Sequence, residues 1–279
     1  MTAHRKSVSV AGSAGSAGSA GFAGRAHRAR RKALAGIVAM ASVLVILFVG
    51  SAPAGATSFV PISGEGSSWS ANAINQWIAD VQQFGMRVNY TANGSTQGRE
   101  DWISGLTDFA ASDIPFQTNP TDGSAPEHPQ TGSYAYMPIT AGGTVFMYNL
   151  KIDGQQVTNL RLSGENIAKI FTGAITNWDD PALAADNPGL TLPDEAIVPV
   201  VRGDGAGDSY ELTEWIQDEY PSLWTSYCSK SGRAPACGPT SFYPTVTGMI
   251  AQNGDLGVAG YVSANYAAGS IGYVNYSYA

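Results

Sequence analysis

Three times in this chain a short apolar run ends in a cluster of small residues that leads directly into a segment of helical periodicity. Gly64-Glu65-Gly66-Ser67-Ser68 follows Phe59–Ile62 and precedes a segment whose Ile74, Trp77, Ile78 and Val81 fall at i, i+3, i+4 and i+7. Gly94-Ser95-Thr96-Gln97-Gly98 lies between Met86–Tyr90 and a helical segment around Trp102 and Ile103. Arg202-Gly203-Asp204-Gly205-Ala206-Gly207-Asp208-Ser209 leads into Tyr210–Tyr220. A strand that passes into a helix through such a loop directs unpaired N–H groups and the positive end of the helix dipole at one point. One Gly-rich turn is ordinary turn chemistry. Three of them, with Arg202 adding a permanent planar cation, form a pattern that converges on a small tetrahedral oxyanion.

The rest of the chain after residue 56 continues the alternation. Predicted strands are Phe59–Ile62, Arg87–Tyr90, Asp108–Ala111, Tyr134–Ile139, Thr144–Tyr148, Ile197–Val201 and Ile271–Asn275. Predicted helices are Ser70–Phe84, Arg99–Leu106, Gly164–Phe171, Pro181–Ala185, Ser209–Tyr220 and Val246–Gln252. Strands that alternate with helices indicate an α/β fold with open twisted sheets, and on such sheets ligands bind at loops beyond the carboxyl ends of the strands. Gln117–Gly132, rich in Pro, Thr, Gly and Ser, reads as a surface loop.

The first 56 residues read as a targeting segment rather than fold. Arg5, Lys6, Arg25, Arg28, Arg30, Arg31 and Lys32 stand among Ser, Ala and Gly with no acid, and the uncharged stretch Ala33–Gly50 closes in Ala54-Gly55-Ala56. This is the layout of a secretory signal with cleavage after Ala56. The apolar stretch approaches spanning length, so an uncleaved segment would tether the protein to the membrane. Without residues 1–56 the chain keeps 8 of its 15 Lys and Arg against 22 Asp and Glu, a net charge of −14. Such acidity argues against nucleic acid or anionic lipid as a partner and supplies no long-range attraction for an anion, so an anion site must act locally, through N–H groups and one buried Arg.

Cys228 and Cys237 flank eight residues, and in an exported chain they are expected to form a disulfide closing a surface loop. Catalytic constellations are lacking in the sequence. His128, in Pro126-Glu127-His128-Pro129, is the single His after residue 56, which argues against a Ser-His-Asp hydrolase, and no metal-ligand spacing or cofactor motif is present. The reading is of a binding protein, not an enzyme.

Seven segments, in order, carry a family resemblance: Ile62-Ser63-Gly64-Glu65-Gly66-Ser67-Ser68-Trp69, Val88-Asn89-Tyr90-Thr91-Ala92-Asn93-Gly94-Ser95, Phe109-Ala110-Ala111-Ser112-Asp113-Ile114-Pro115, Ile175-Thr176-Asn177-Trp178-Asp179-Asp180-Pro181, Asn187-Pro188-Gly189-Leu190, Leu192-Pro193-Asp194 and Gly272-Tyr273-Val274-Asn275-Tyr276. From about Phe59 to the last residue the chain resembles the periplasmic phosphate-binding proteins, the substrate-binding components of phosphate ABC importers. The resemblance implies a two-lobed, periplasmic-binding-protein-like (Venus-flytrap) α/β fold, with residues 57–140 as the first lobe, 141–279 as the second, and inorganic phosphate between them for delivery to a membrane permease. It implies that Ser68 and the backbone N–H of Trp69 contribute the first loop and Ser95 the second. Asp113 would be an acceptor, Arg202 a charge-assisted donor oriented by Asp204, and Gly207 a donor at the helix start. Family members continue well beyond the segment matching Gly272–Ala279, which implies that the C-terminal part of the first lobe is missing and that a sheet edge is exposed.

Asp113 is the expected source of selectivity. A carboxylate only accepts hydrogen bonds, and phosphate near neutral pH still carries a proton to donate, whereas sulfate carries none and meets an uncompensated repulsion. The chain departs from the family at the Arg loop, where Ala206 and Asp208 stand in place of the usual Ser and Thr. Ala206 removes a hydroxyl donor, and each lost hydrogen bond to a charged group costs about 1.5–3 kcal/mol. Asp208 puts a negative group near the expected anion unless it points away as the N-cap of the next helix. These departures give weight to an alternative reading: a surface phosphate or oxyanion sensor, or a non-transporting interaction module that retains the fold.

Overall fold

The structure, a computed structural model, describes residues 59–132 and 134–279. The predicted signal segment and its cleavage point lie outside the described residues. Among the described residues the chain forms two main sheets. In the first, β1 (Ile62–Gly66) lies between β2 (Val88–Thr91) and β3 (Phe109–Ala111), all parallel. Parallel neighbours require crossovers, which are α1 (Ala71–Gln82) and α2 (Ser95–Ile103). The ladder runs from Ile62↔Val88 to Glu65↔Thr91 on one side and to Gly66↔Ala111 on the other, so the first glycine cluster is strand and the loop proper starts at Ser67. The predicted strand at Phe59–Ile62 is thus displaced: Val60 is 84 % exposed and only Ile62 pairs.

The second sheet has the order β4-β9-β7-β8, from Thr144–Tyr148, Ser270–Asn275, Val198–Arg202 and Ile250–Gln252. β4 runs antiparallel to β9, and the other pairs are parallel. A small hairpin, β5 (Lys151–Ile152) with β6 (Gln155–Gln156), stands apart. The helices around this sheet are α3 (Gly164–Phe171), α4 (Pro181–Asp186), α5 (Gly207–Glu219), α6 (Pro221–Lys230) and α7 (Gly254–Val262). Both faces are buried, which is why β7 and β9 read as near-continuous apolar runs. Val201, Ile271 and Tyr273 pack with Phe171, Trp178 and Tyr227 on one face; Val200 and Val274 pack with Val258 and Val262 on the other. The Trp178 indole also donates to the carbonyl of Gly269 at 3.0 Å.

Two element predictions fail for identifiable reasons. Tyr134–Ile139 forms no strand; Tyr134 and Tyr136 instead lay their rings on Phe116, and Tyr134 also meets Trp102. Val246–Gln252 forms no helix, because Gly248 turns the chain at φ +95° and residues 250–252 enter the sheet beside β7. The helix follows that strand as α7, and the separate helix α6 starts at Pro221, a residue whose fixed φ suits a first turn. The disulfide forms as expected, with the Cα atoms of Cys228 and Cys237 5.7 Å apart.

Candidate functional site

Strands of both sheets end at the same place. On the first, β1 passes into Ser67 and Ser68, and β3 passes through Ser112 into Asp113. Arg99 of α2 fixes the second turn: its Nε and Nη2 bond Glu127 at 3.0 and 2.8 Å, and its Nη1 bonds Ser112 Oγ at 2.8 Å. Ser95, the first residue of α2, therefore faces Asp113. Its hydroxyl donates to Asp113 Oδ2 at 2.9 Å, and that of Ser67 donates to Asp113 Oδ1 at 2.6 Å. Burial raises the Asp113 carboxyl above its ordinary range against the pull of Ser67, Ser95 and Arg202, while Asp255 adds to the rise.

On the second sheet β7 ends at Arg202, which is 2 % exposed. All three guanidinium nitrogens meet carboxylates. Nε bonds Asp204 Oδ1 at 2.8 Å and Nη2 bonds Asp204 Oδ2. Nη1 reaches Asp208 Oδ2 at 3.0 Å and Asp255 Oδ2 at 2.9 Å. Burial alone would lower the basicity of Arg202; the neighbouring Asp208, Asp204 and Asp255 more than offset it, so the cation is permanent. The carboxylates are themselves anchored. Gly254 N–H donates to Asp204 at 2.9 Å, Ser209 N–H to Asp208 at 2.9 Å, and Asn275 N–H to Asp255 at 2.7 Å.

The two halves interlock. Ser68 Oγ donates to Asp255 Oδ2 at 2.6 Å and accepts from the Asp255 N–H at 3.0 Å. The Thr96 N–H bonds the carbonyl of Gly205 at 2.9 Å. Gly207, first residue of α5, lies against Asp113 so closely that a Cβ there would sit 2.6 Å from Asp113 Cβ. Hydroxyls, a helix N-terminus, one guanidinium and four carboxylates (Asp113, Asp204, Asp208, Asp255) thus share one buried point. Among the described residues no group of His, Cys, Asp or Glu has the arrangement to hold a metal ion.

The predicted residues are therefore largely brought together, with differences. Ser95, Asp113 and Gly207 meet directly, and Asp204 orients Arg202 as expected. Ser68 faces Asp255 rather than Asp113. Trp69 follows Ser68, and its indole packs against Gly142 beside a cavity of about 450 Å³ lined also by Val145 and Tyr276. Ala206, not Asp208, is the N-cap of α5; Asp208 lies in its first turn and points at Arg202. The sequence reading missed Ser67 and Asp255. Ser67 stood inside the quoted first cluster. Asp255 had its own signal in Asn253-Gly254-Asp255, a fourth small-residue start of a helix after a strand, obscured by the misplaced helix at Val246–Gln252.

Comparison with known proteins identifies the family. The PBP superfamily domain matches residues 17–279, and the chain belongs to that superfamily. The Phosphate-binding protein PstS of Pasteurella multocida (strain Pm70) is 36 % identical over 229 residues, covering 80 % of this chain and 58 % of that protein. The Phosphate-binding protein PstS 3 of Mycobacterium tuberculosis (strain ATCC 25618 / H37Rv) is 35 % identical over 173 residues, covering 61 % of this chain and 45 % of that protein. The chain spans about half the length of these curated relatives. Among solved structures, a phosphate binding protein from Stenotrophomonas maltophilia shares the fold at TM-score 0.54 and 21 % identity, covering 78 % of this chain and 60 % of that one. A putative phosphate ABC transporter substrate-binding protein from Clostridium perfringens does so at TM-score 0.51 and 18 % identity, covering 79 % and 72 %.

Proposed function

We propose that this is an exported solute-binding protein that takes inorganic phosphate at the junction of its two sheets, for delivery to an ABC importer. The observation that supports it most is the convergence of Ser67, Ser95, Asp113, Arg202 and the N-terminus of α5 on one buried point from two separate sheets. Residues 57–140 and 141–279 serve as the two lobes of this reading. On binding, the Ser67 and Ser95 hydroxyls turn from Asp113 to donate to the anion beside the α5 N–H groups, Arg202 supplies the charge, and Asp113, released by them, accepts the proton that phosphate has and sulfate lacks. The names of the relatives, phosphate-binding proteins, favour the same ligand. Calorimetric titration with phosphate and with sulfate tests the reading. Saturable phosphate binding that sulfate does not reproduce, and that Asp113→Asn makes less selective, is expected. Equal binding of the two anions by the unaltered protein would refute the assigned selectivity.

The engagement of Arg202 by Asp208 and Asp255 favours a second reading, an oxyanion sensor or interaction module that does not serve transport. Binding too weak or too dependent on conditions to scavenge phosphate would support it.

A further inference from the structure

This inference rests on the oxyanion reading above and concerns which residue controls entry to the site. The Nη1 of Arg202 is the guanidinium edge turned toward α5, and the carboxylate of Asp208 already spans it, with Oδ1 at 3.2 Å and Oδ2 at 3.0 Å. Asp208 also accepts the N–H of Ser209, one of the unpaired donors in the first turn of α5. The carboxylate thus occupies both kinds of donor that an oxyanion would use here, and at 1 % exposure it has no solvent to turn into. We propose that Asp208 is an internal rival of the anion: the site admits an oxyanion only when this carboxyl is neutral and yields Arg202 Nη1, so that binding takes up a proton at alkaline pH.

Every charged group that faces Asp208 bears on this. Arg202 on β7 favours its ionised form; Asp204 in the following loop, Asp255 on α7 and Asp113 beyond β3 all oppose it. Tyr273 of β9 bonds the Ser209 hydroxyl at 2.6 Å and completes the wall on that side. Burial and the three carboxylates outweigh Arg202, and the Asp208 carboxyl is pushed up to about 8. Near neutral pH the rival is therefore mostly silent, and above its titration it competes. A site competent only in its protonated fraction binds with an affinity reduced by that fraction, so at pH 9 the loss is about tenfold.

The test is calorimetric titration of phosphate, and separately of sulfate, into the full chain and into Asp208→Asn at about pH 5.5 and pH 9. Phosphate's own titration is common to both proteins and cancels in the comparison. The expected result is similar phosphate affinity at the lower pH and about tenfold tighter binding by the variant at pH 9. Asp208→Thr, which also removes the charge, serves if the Asn variant fails to fold. Independently, titration of the unaltered protein in buffers of different ionisation enthalpy should register proton uptake at pH 9. Equal affinities and equal pH dependence would overturn the inference and leave the phosphate reading standing. A gain confined to sulfate would keep the inference and overturn the phosphate reading. Folded variants that bind neither anion at either pH would overturn both.

Discussion

Ionising Asp208 inside the folded protein has a thermodynamic consequence that needs no ligand. The carboxyl titrates at its ordinary value of 3.8 in the unfolded chain and at about 8 in the folded one, because burial and Asp255, Asp113 and Asp204 outweigh Arg202. Between these values the native state holds one more proton than the unfolded state, so stability falls as pH rises. One proton corresponds to about 1.4 kcal/mol per pH unit, or about 3 kcal/mol between pH 5 and pH 7. Asp113, also raised, contributes with the same sign. Asp186, lowered chiefly by the Ser163 N–H and by Asn166, has the opposite sign, but its contribution is complete above the ordinary carboxylate range. Glu211, raised by burial, and Glu65, raised by Asp101, add with the same sign, so the difference between the protein and its Asp208→Asn variant, not the total slope, reports on Asp208. Urea unfolding at pH 5, 6 and 7 should show a falling free energy, and Asp208→Asn should remove about one proton's worth of slope. A stability that is level or rises over this window, or an unchanged slope in the variant, would refute the reasoning.

Other outcomes follow from the same packing. Gly207→Ala puts a methyl group 2.6 Å from Asp113 Cβ, closer than carbon atoms pack, so it should weaken phosphate binding at least about tenfold while leaving the circular dichroism spectrum unchanged. Replacing both Cys228 and Cys237 by Ser opens the nine-residue separation that the disulfide closes and should lower unfolding free energy by about 2–3 kcal/mol in a urea melt. Trp178→Ala removes a fully buried indole and its bond to Gly269, and should cost about 3–5 kcal/mol in the same assay.

Much of the site was legible in the sequence because its chemistry sits at strand-to-helix junctions, where small residues and Ser announce themselves. Ser95, Asp113, Arg202, Asp204 and Gly207 all fall at such junctions and meet in space. Asp255 escaped because its junction depended on seeing Ile250–Gln252 as strand, and three residues beside a left-handed Gly248 carry almost no periodicity. Tyr134–Ile139 shows the opposite failure: the residue types suit a strand, but a strand is defined by its neighbour, and its rings pack on Phe116 instead. The spacing of Ile74, Trp77, Ile78 and Val81 marks the helix α1 correctly, yet of the four only Ile74 is buried and Trp77 remains 42 % exposed. Periodicity identifies a face without stating how much of it the neighbouring sheet covers. The role of Asp208 was the hardest to read, since a helix cap and a partner for Arg202 require the same residue type within two positions of each other.

The central claim, that the two sheets hold an oxyanion where their serines, Arg202 and α5 converge, is tested most directly by a crystal structure determined with phosphate below pH 6. The account predicts tetrahedral density bonded to Ser95, to Arg202 Nη1 and to the first N–H groups of α5, with Asp113 as acceptor and Asp208 displaced from the guanidinium. Phosphate bound elsewhere, with Asp208 still spanning Arg202, would contradict it.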